Sequence, residues 1–232
     1  LVAAALSALV CEKALGQTTL TWYGGADTTD WSDTNWHPPG QGVDAHNAVF
    51  DLNPFSVSQL HSTVDQAYQI NSVTISGSNT DGMLLDGPGP LTLDAWLKDS
   101  SPNTVTISVP IAGNGAYVQE TGGGTIILTG VNTYTGGTSV TGSSHLVIGS
   151  SSSGGSDSNV TSGPVGTGTL MLGSGSNLVT ADSSSYTLGN TITLCGSGTV
   201  YLLGGGGGKT LTLSGTISGG AALEVYSPSE DR

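Results

Sequence analysis

"TGGGTIILTGVNTYTGGTSVTGSSHLVIGS", residues 121–150, alternates short apolar runs with paired glycines and holds no charged residue. Apolar and hydroxyl side chains alternate with period two, which places one row in a core and a Ser/Thr row outside. Each glycine costs backbone entropy, about 0.5–1 kcal/mol relative to alanine inside a regular element. A chain with 37 Gly therefore tolerates them only where corners need positive φ. One rung of two or three apolar residues cannot bury itself, whereas a stack of rungs makes a continuous apolar column. The stretch thus predicts short strands, glycine corners and stacking on similar coils.

The same pattern extends along the chain. Val73/Ile75, Leu91/Leu93, Val105/Ile107/Val109, Ile192/Leu194 and Leu211/Leu213 each alternate with Thr or Ser. Thr fits a pleated surface through its branched Cβ, and helical periodicity is nearly absent. "GGGTIILTG" (122–130), "GTGTLMLGS" (166–174), "GSGTVYLLG" (196–204) and "GGKTLTLSG" (207–215) read as versions of one unit, aligned on Thr125, Thr169, Thr199 and Thr210. Their irregular spacing suits a solenoid with corners of variable length better than a propeller. With roughly 20–25 residues per coil and about 4.8 Å between stacked strands, about nine coils are expected. The fold class is all-β, a parallel β-helix; a β-sandwich fibre subunit is the alternative.

Domain organisation follows composition. Residues 1–16, "LVAAALSALVCEKALG", form an apolar segment too short to span a bilayer as a helix. They read as part of a signal peptide with Ala14-Leu15-Gly16 before the cleavage site, its initiator Met and basic start missing, or as a retained strand available for donation. Residues 17–60 are a Trp-rich cap region, 61–226 a β-solenoid with a flexible low-complexity loop at 149–168, and 227–232 a polar tail. Cys11 and Cys195 are too few for a disulfide framework. Val10 argues against lipidation at Cys11, and Cys195 reads as a small buried hydrophobe.

Seventeen Asp+Glu against four Lys+Arg give a net charge of −13. Phosphate backbones and anionic membrane surfaces are repelled, so no nucleic acid is expected as partner. Only 9% of residues are charged, against about 25% in ordinary domains. The surface this leaves, rich in hydroxyls, suits extracellular life and contacts with sugars or with further copies of the chain.

At residues 121–150 the chain resembles the autotransporter-associated β-strand repeat (passenger-associated transport repeat). The carrying residues are Gly124-Thr125 with Ile126–Leu128, then Asn132-Thr133-Tyr134-Thr135-Gly136-Gly137-Thr138, then Leu146–Gly149. Residues 104–130 and 209–223 resemble entries to further copies, and residues 19–51 resemble the Trp-rich leader that often precedes such repeats. The resemblance implies a right-handed parallel β-helix exported to the bacterial cell surface or secreted, with structural, adhesive or secretion-assisting roles and no common active site.

No catalytic, cofactor or metal site is expected. "LGGGGGKT" (203–210) approaches a phosphate loop, but Leu203 stands where glycine is needed and Leu211-Thr212-Leu213 continues as strand rather than helix. Asp27, Asp30, Asp33 and Asn35 lack the spacing of a calcium loop. His37, His46, His61 and His145 lack ligand spacing. Asp86, Asp94 and Asp99 would need to meet across rungs to form a glycosidase-type pair. Trp22, Trp31 and Trp36 are candidates for an aromatic cap over the first rung or for a sugar platform. Asn132 is expected to satisfy backbone at a corner and Tyr134 to stack along the column. Asn159 is a candidate N-glycosylation acceptor. The sequence thus supports a non-enzymatic structural or adhesive protein, assembling with itself through strand edges or open ends into fibres. A carbohydrate-binding or carbohydrate-active module that meets surface polysaccharide, and a segment that only assists secretion, are the other readings.

Overall fold

The computed structural model describes residues 18–23, 29–39, 44–53, 59–78, 82–181, 184–203 and 209–226. The segment 1–16 with Cys11, Asp27, the glycines at 204–208 and the tail 227–232 lie outside the described residues. Strands dominate, and no α-helix occurs among the described residues.

Two long sheets face each other around the core. The first runs β2 (Trp36–His37), β1 (Thr19–Trp22), β3 (Asn47–Asp51), β5 (Tyr68–Ser76), β7 (Leu91–Asp99), β10 (Tyr117–Glu120), β12 (Thr138–Val140), β14 (Leu170–Gly173), β17 (Ile192–Cys195) and β20 (Ile217–Gly219), with β9 (Ile111–Ala112) also on β7. The second runs β4 (Leu60–Thr63), β6 (Gly82–Asp86), β8 (Thr104–Ile107), β11 (Thr125–Leu128), β13 (His145–Ile148), β15 (Asn177–Thr180), β18 (Thr199–Leu203) and β21 (Ala222–Tyr226). A short third ladder pairs β16 (Tyr186–Leu188) with β19 (Leu211–Leu213). Every named pairing is parallel except β1 with β2. That is a β-solenoid and not a sandwich, in which antiparallel hairpins would dominate.

Stacking is in register, so each inward position becomes a column. Val73, Leu97, Val118, Thr138, Leu170 and Ile192 succeed one another on the first sheet. Met83, Val105, Ile126, Leu146, Leu178 and Leu202 do so on the second. All are buried. Fully burying one such side chain contributes roughly 1.5–3 kcal/mol, and the column makes that burial possible for strands of four residues.

Nine parallel strands succeed one another on the first sheet among the described residues, from β1 to β20, and eight on the second. Coil length varies: successive coils return after 20, 21 or 25 residues, but His145 next meets Asn177 after 32. The long coil carries residues 149–168, read from composition as a flexible loop. The structure pins them instead. Ser153 pairs with Ser162 and Asn132 with Gly163, Val165 is buried, and the Asp157 carboxylate accepts from the Thr216 N–H (2.7 Å) and the Thr191 hydroxyl (2.9 Å). Those hydrogen bonds, the Thr216 N–H first, hold the Asp157 carboxyl below its ordinary range. A Ser/Gly-rich composition hides this because its bonding is backbone and hydroxyl, not apolar.

The four sequence look-alikes prove not to be equivalent. Thr125 and Thr199 open strands of the second sheet, Thr169 precedes a strand of the first, and Thr210 precedes the third ladder. A Gly–Thr–apolar pattern marks the exit from any corner, whichever side of the coil follows. Cys195 lies on the outward side of β17, half-buried and free, rather than in the core.

The Asn-Thr-Tyr-Thr-Gly-Gly-Thr element shows what a corner demands. Buried Asn132 accepts from the Ile111 N–H (2.8 Å) and donates to the Pro164 carbonyl (2.7 Å). Tyr134 is buried with its hydroxyl 2.6 Å from that of Thr138, and burial pushes its phenol upward. Gly137 has φ +89°, and a Cβ there would clash with the Thr169 carbonyl. Gly115 has φ +80° with open space around it. Gly115→Ala should therefore cost about 1–2 kcal/mol, the left-handed strain alone, while Gly137→Ala should cost about 1–3 kcal/mol more for the clash. Urea unfolding of the two variants checks this; equal losses would contradict it.

Candidate functional site

Chemistry-bearing residues occupy three places: the two ends of the stack, the core of the middle coils, and the outer faces. At the N-terminal end both sheets are covered. β2 lies antiparallel on β1, and Thr63 of β4 exchanges backbone bonds with Thr29 (2.8 Å) and Trp31 (3.0 Å). The rings of Trp22, Trp31 and Trp36 fill the space inside. Trp36 meets Trp22 edge-on at 5.0 Å and Trp31 at 5.3 Å, and packs 5.6 Å from Phe50. The Trp31 Nε1–H donates to the Ser62 hydroxyl (2.8 Å) and the Trp36 Nε1–H to the Trp31 carbonyl (3.1 Å). All three rings are buried, so they present no face to a sugar, and the platform reading of these residues is corrected to that of a lid on the first rung. Asp30, Asp33 and Asn35 form the turn of this lid; Asn35 is buried and donates to the Asp30 carbonyl (3.0 Å).

At the other end β20, β21 and β19 are the last strands of their sheets among the described residues. Ile217 is 40% and Val225 69% exposed. Leu223 and Tyr226 are exposed beside them. Unpaired strand edges of this kind are templates for further strands.

The three carboxylates considered as a hydrolytic set are separated. Asp86 faces His61 at 2.8 Å on the second sheet. Asp94 lies exposed on the bend of β7, where it accepts from the Gln69 side-chain amide (3.0 Å). Asp99 is buried. Among the described residues no three His, Cys, Asp or Glu side chains gather as a metal site. His145 meets Asn177 (2.8 Å), and His37 packs on Tyr23. Lys209 and Thr210 lead into strand β19, not a helix. Asn159 sits exposed in a single 3-10 turn, Asp157–Asn159.

The buried Asp99 is a feature that periodicity alone does not show. Its inward column reads Phe50, Ile75, Asp99, Glu120, Val140, Leu172, Leu194. Two neighbouring rungs of an apolar column thus carry acids. The Ser101 N–H and O–H donate to Asp99 Oδ1 (2.9 and 2.8 Å). The Gly122 N–H and Ser144 O–H donate to Glu120 Oε1 (2.8 and 2.9 Å). The outer oxygens, Asp99 Oδ2 and Glu120 Oε2, have no hydrogen-bond partner among the described residues, and the two carboxyls sit on neighbouring rungs. A hydrogen bond between two carboxyls requires a proton on one of them. Burial first, then the Glu120 charge and hydrogen bond, push the Asp99 carboxyl from 3.8 up to about 8, against the Ser101 donors.

The unfolded chain releases this proton near 3.8, so between 3.8 and about 8 the folded chain binds more protons than the unfolded. Stability from this group is complete below the lower value and is lost as pH rises through the upper one. The chain should therefore resist urea better at about pH 5 than at about pH 9, by a few kcal/mol. Asp99→Asn should flatten that dependence. A slope unchanged in the variant would refute the assignment.

Comparison with known proteins places this architecture. Over 215 residues, 90% of the chain, the sequence is 35% identical to the adhesin BmaC autotransporter of Brucella suis biovar 1 (strain 1330). The aligned region is 6% of that adhesin, so the chain spans a small part of its relative's length. No family model matches the chain, the β-strand repeat resembled at residues 121–150 included, and no solved structure matches it. The similarity and the coiled fold together fit a passenger-type segment of an autotransporter.

Proposed function

We propose that the chain is an adhesive, non-enzymatic segment of a bacterial surface or secreted protein, a rod that presents its outer faces to other surfaces. The observation that carries this reading is the alignment with an adhesin along nine-tenths of the chain. The fold supports it: the outward row of the first sheet runs Thr74, Lys98, Gln119, Ser139, Met171, Thr193 and Ser218. Those side chains are free to vary without disturbing the inward columns. Separation of Asp86, Asp94 and Asp99 supports binding rather than hydrolysis. Beads coated with the purified chain should be retained on cultured animal cells several-fold above albumin-coated beads, and heat-unfolded chain should lose the effect. Retention at the albumin level would overturn the reading.

The exposed Ile217, Leu223, Val225 and Tyr226 of β20 and β21 favour a second property of the purified chain, association through these strands. Contact of these strands with the same strands of a second copy is self-complementary and gives pairs. Donation of residues 1–16 falls outside the described residues. Sedimentation velocity across a concentration series should show a monomer–dimer equilibrium that Val225→Lys weakens at least tenfold. Open-ended filaments, or a monomer at all concentrations, would refute it.

A further inference from the structure

Beside the closed end, on the outer side of three successive coils, lies a cavity of about 540 Å³. Asp44 comes from the first of these coils, Gln69 from the second, and Thr92 and Asp94 from the third. The Gln69 N–H donates to Asp44 Oδ1 (2.9 Å), and the Gln69 side-chain amide donates to Asp94 Oδ1 (3.0 Å). A carboxylate can only accept, so the Asp94 contact fixes the amide with its NH2 toward Asp94 and leaves Oε1 as an acceptor. Among the described residues the second oxygens of Asp44 and Asp94 carry no further hydrogen bond. The cavity therefore offers a row of fixed acceptors, one per coil, with the Thr92 hydroxyl beside them. Its remaining wall is apolar, from exposed Ala45 and Ala67 with buried Tyr68 behind them.

This combination selects a guest. It must bring several donors spaced along its length, and it must have an apolar face to lie against Ala45 and Ala67. Asp44, in the turn before β3, and Asp94, on β7, belong to coils two apart, about 10 Å at the ordinary stacking distance, so a single small cation does not bridge them. An anionic guest meets two carboxylates on a chain of net charge −13. A pyranose ring has hydroxyl donors on its rim and C–H groups on its face, and the volume lies in the range of small-molecule sites.

We propose that the Asp44–Gln69–Asp94 cavity is a saccharide-binding site for uncharged pyranose units. The site rests on the adhesive reading for its use and not for its existence. Saturation-transfer NMR of the full chain with cellobiose, maltose, lactose and a glucuronate-containing disaccharide tests it. At least one neutral disaccharide should bind, the glucuronate should not, and Asp94→Ala and Gln69→Ala should each weaken binding at least tenfold. Both side chains are exposed, so the variants should keep the parent's thermal unfolding midpoint, which is measured alongside. Thr193→Val, on the outer face far along the stack, should bind as the parent does. No binding to any neutral sugar, preference for the acidic one, or binding unaffected by the Asp94 and Gln69 changes would overturn the proposal. Coated beads that still adhere to cells when the sugar test is blank would overturn the site alone. Beads that fail to adhere while the sugar binds would overturn the adhesive reading alone.

Discussion

Parallel backbone pairing in register between one coil and the next is the constraint on which the rest of the structure depends. A strand of four residues buries little by itself. It is stable because Ile126 lies on Val105 and under Leu146, and Leu128 on Ile107 and under Ile148. Each coil must therefore return to the same point, and all variation in length is expelled into corners. The 32-residue coil keeps register although it carries 149–168, because Asn190 donates to the Gly166 and Gly168 carbonyls (3.1 and 2.8 Å) and Asp157 reaches two later coils. Asn and Asp at these corners do for the irregular backbone what neighbouring strands do for the regular one.

The same constraint explains why Asp99 and Glu120 sit together. An acid in an inward column has a neighbour directly above and below, about 4.8 Å away. With Ile75 or Val140 as sole neighbours, a single carboxyl would be left with unanswered oxygens, at a cost of roughly 1–3 kcal/mol. A second carboxyl on the next rung answers the first, provided one proton is kept between them. Two acids are thus easier to bury here than one. The register that makes apolar columns also makes this pair, and it links the cohesion of two central coils to proton activity.

Sequence alone conveyed the fold class because period-two alternation and glycine corners are local, and stacking follows from the inability of one rung to bury itself. Asn132 was legible for a local reason too: a buried corner needs an amide that both donates and accepts. What stayed hidden depends on registers between coils. Thr125, Thr169, Thr199 and Thr210 look alike locally but occupy different sides of the coil. Asp99 and Glu120 are 21 positions apart, and only the pairing of β7 with β10 makes them neighbours. Trp22, Trp31 and Trp36 could be assigned to cap or platform only once β2 was seen to fold back on β1. Gln69 drew no attention as a site residue, and its weight comes from Asp44 one coil before and Asp94 one coil after.

The two ends of the stack divide the functional possibilities between them. Closing an end needs bulk and antiparallel pairing, and the chain spends three tryptophans and β2 on it at the N-terminal side. Closure also gives the first coils a rigid foundation, since Tyr68 packs 5.4 Å from Trp31 and so ties the wall of the Asp44–Gln69–Asp94 cavity to the lid. A binding surface benefits from that rigidity, because a preorganised site loses less entropy when it fills. At the last described strands the arrangement differs: β20 and β21 leave Ile217, Leu223, Val225 and Tyr226 exposed. The Asp44–Gln69–Asp94 cavity and the exposed apolar residues of β20 and β21 therefore share no residue. The shared inward columns hold the two apart at opposite ends of one rod.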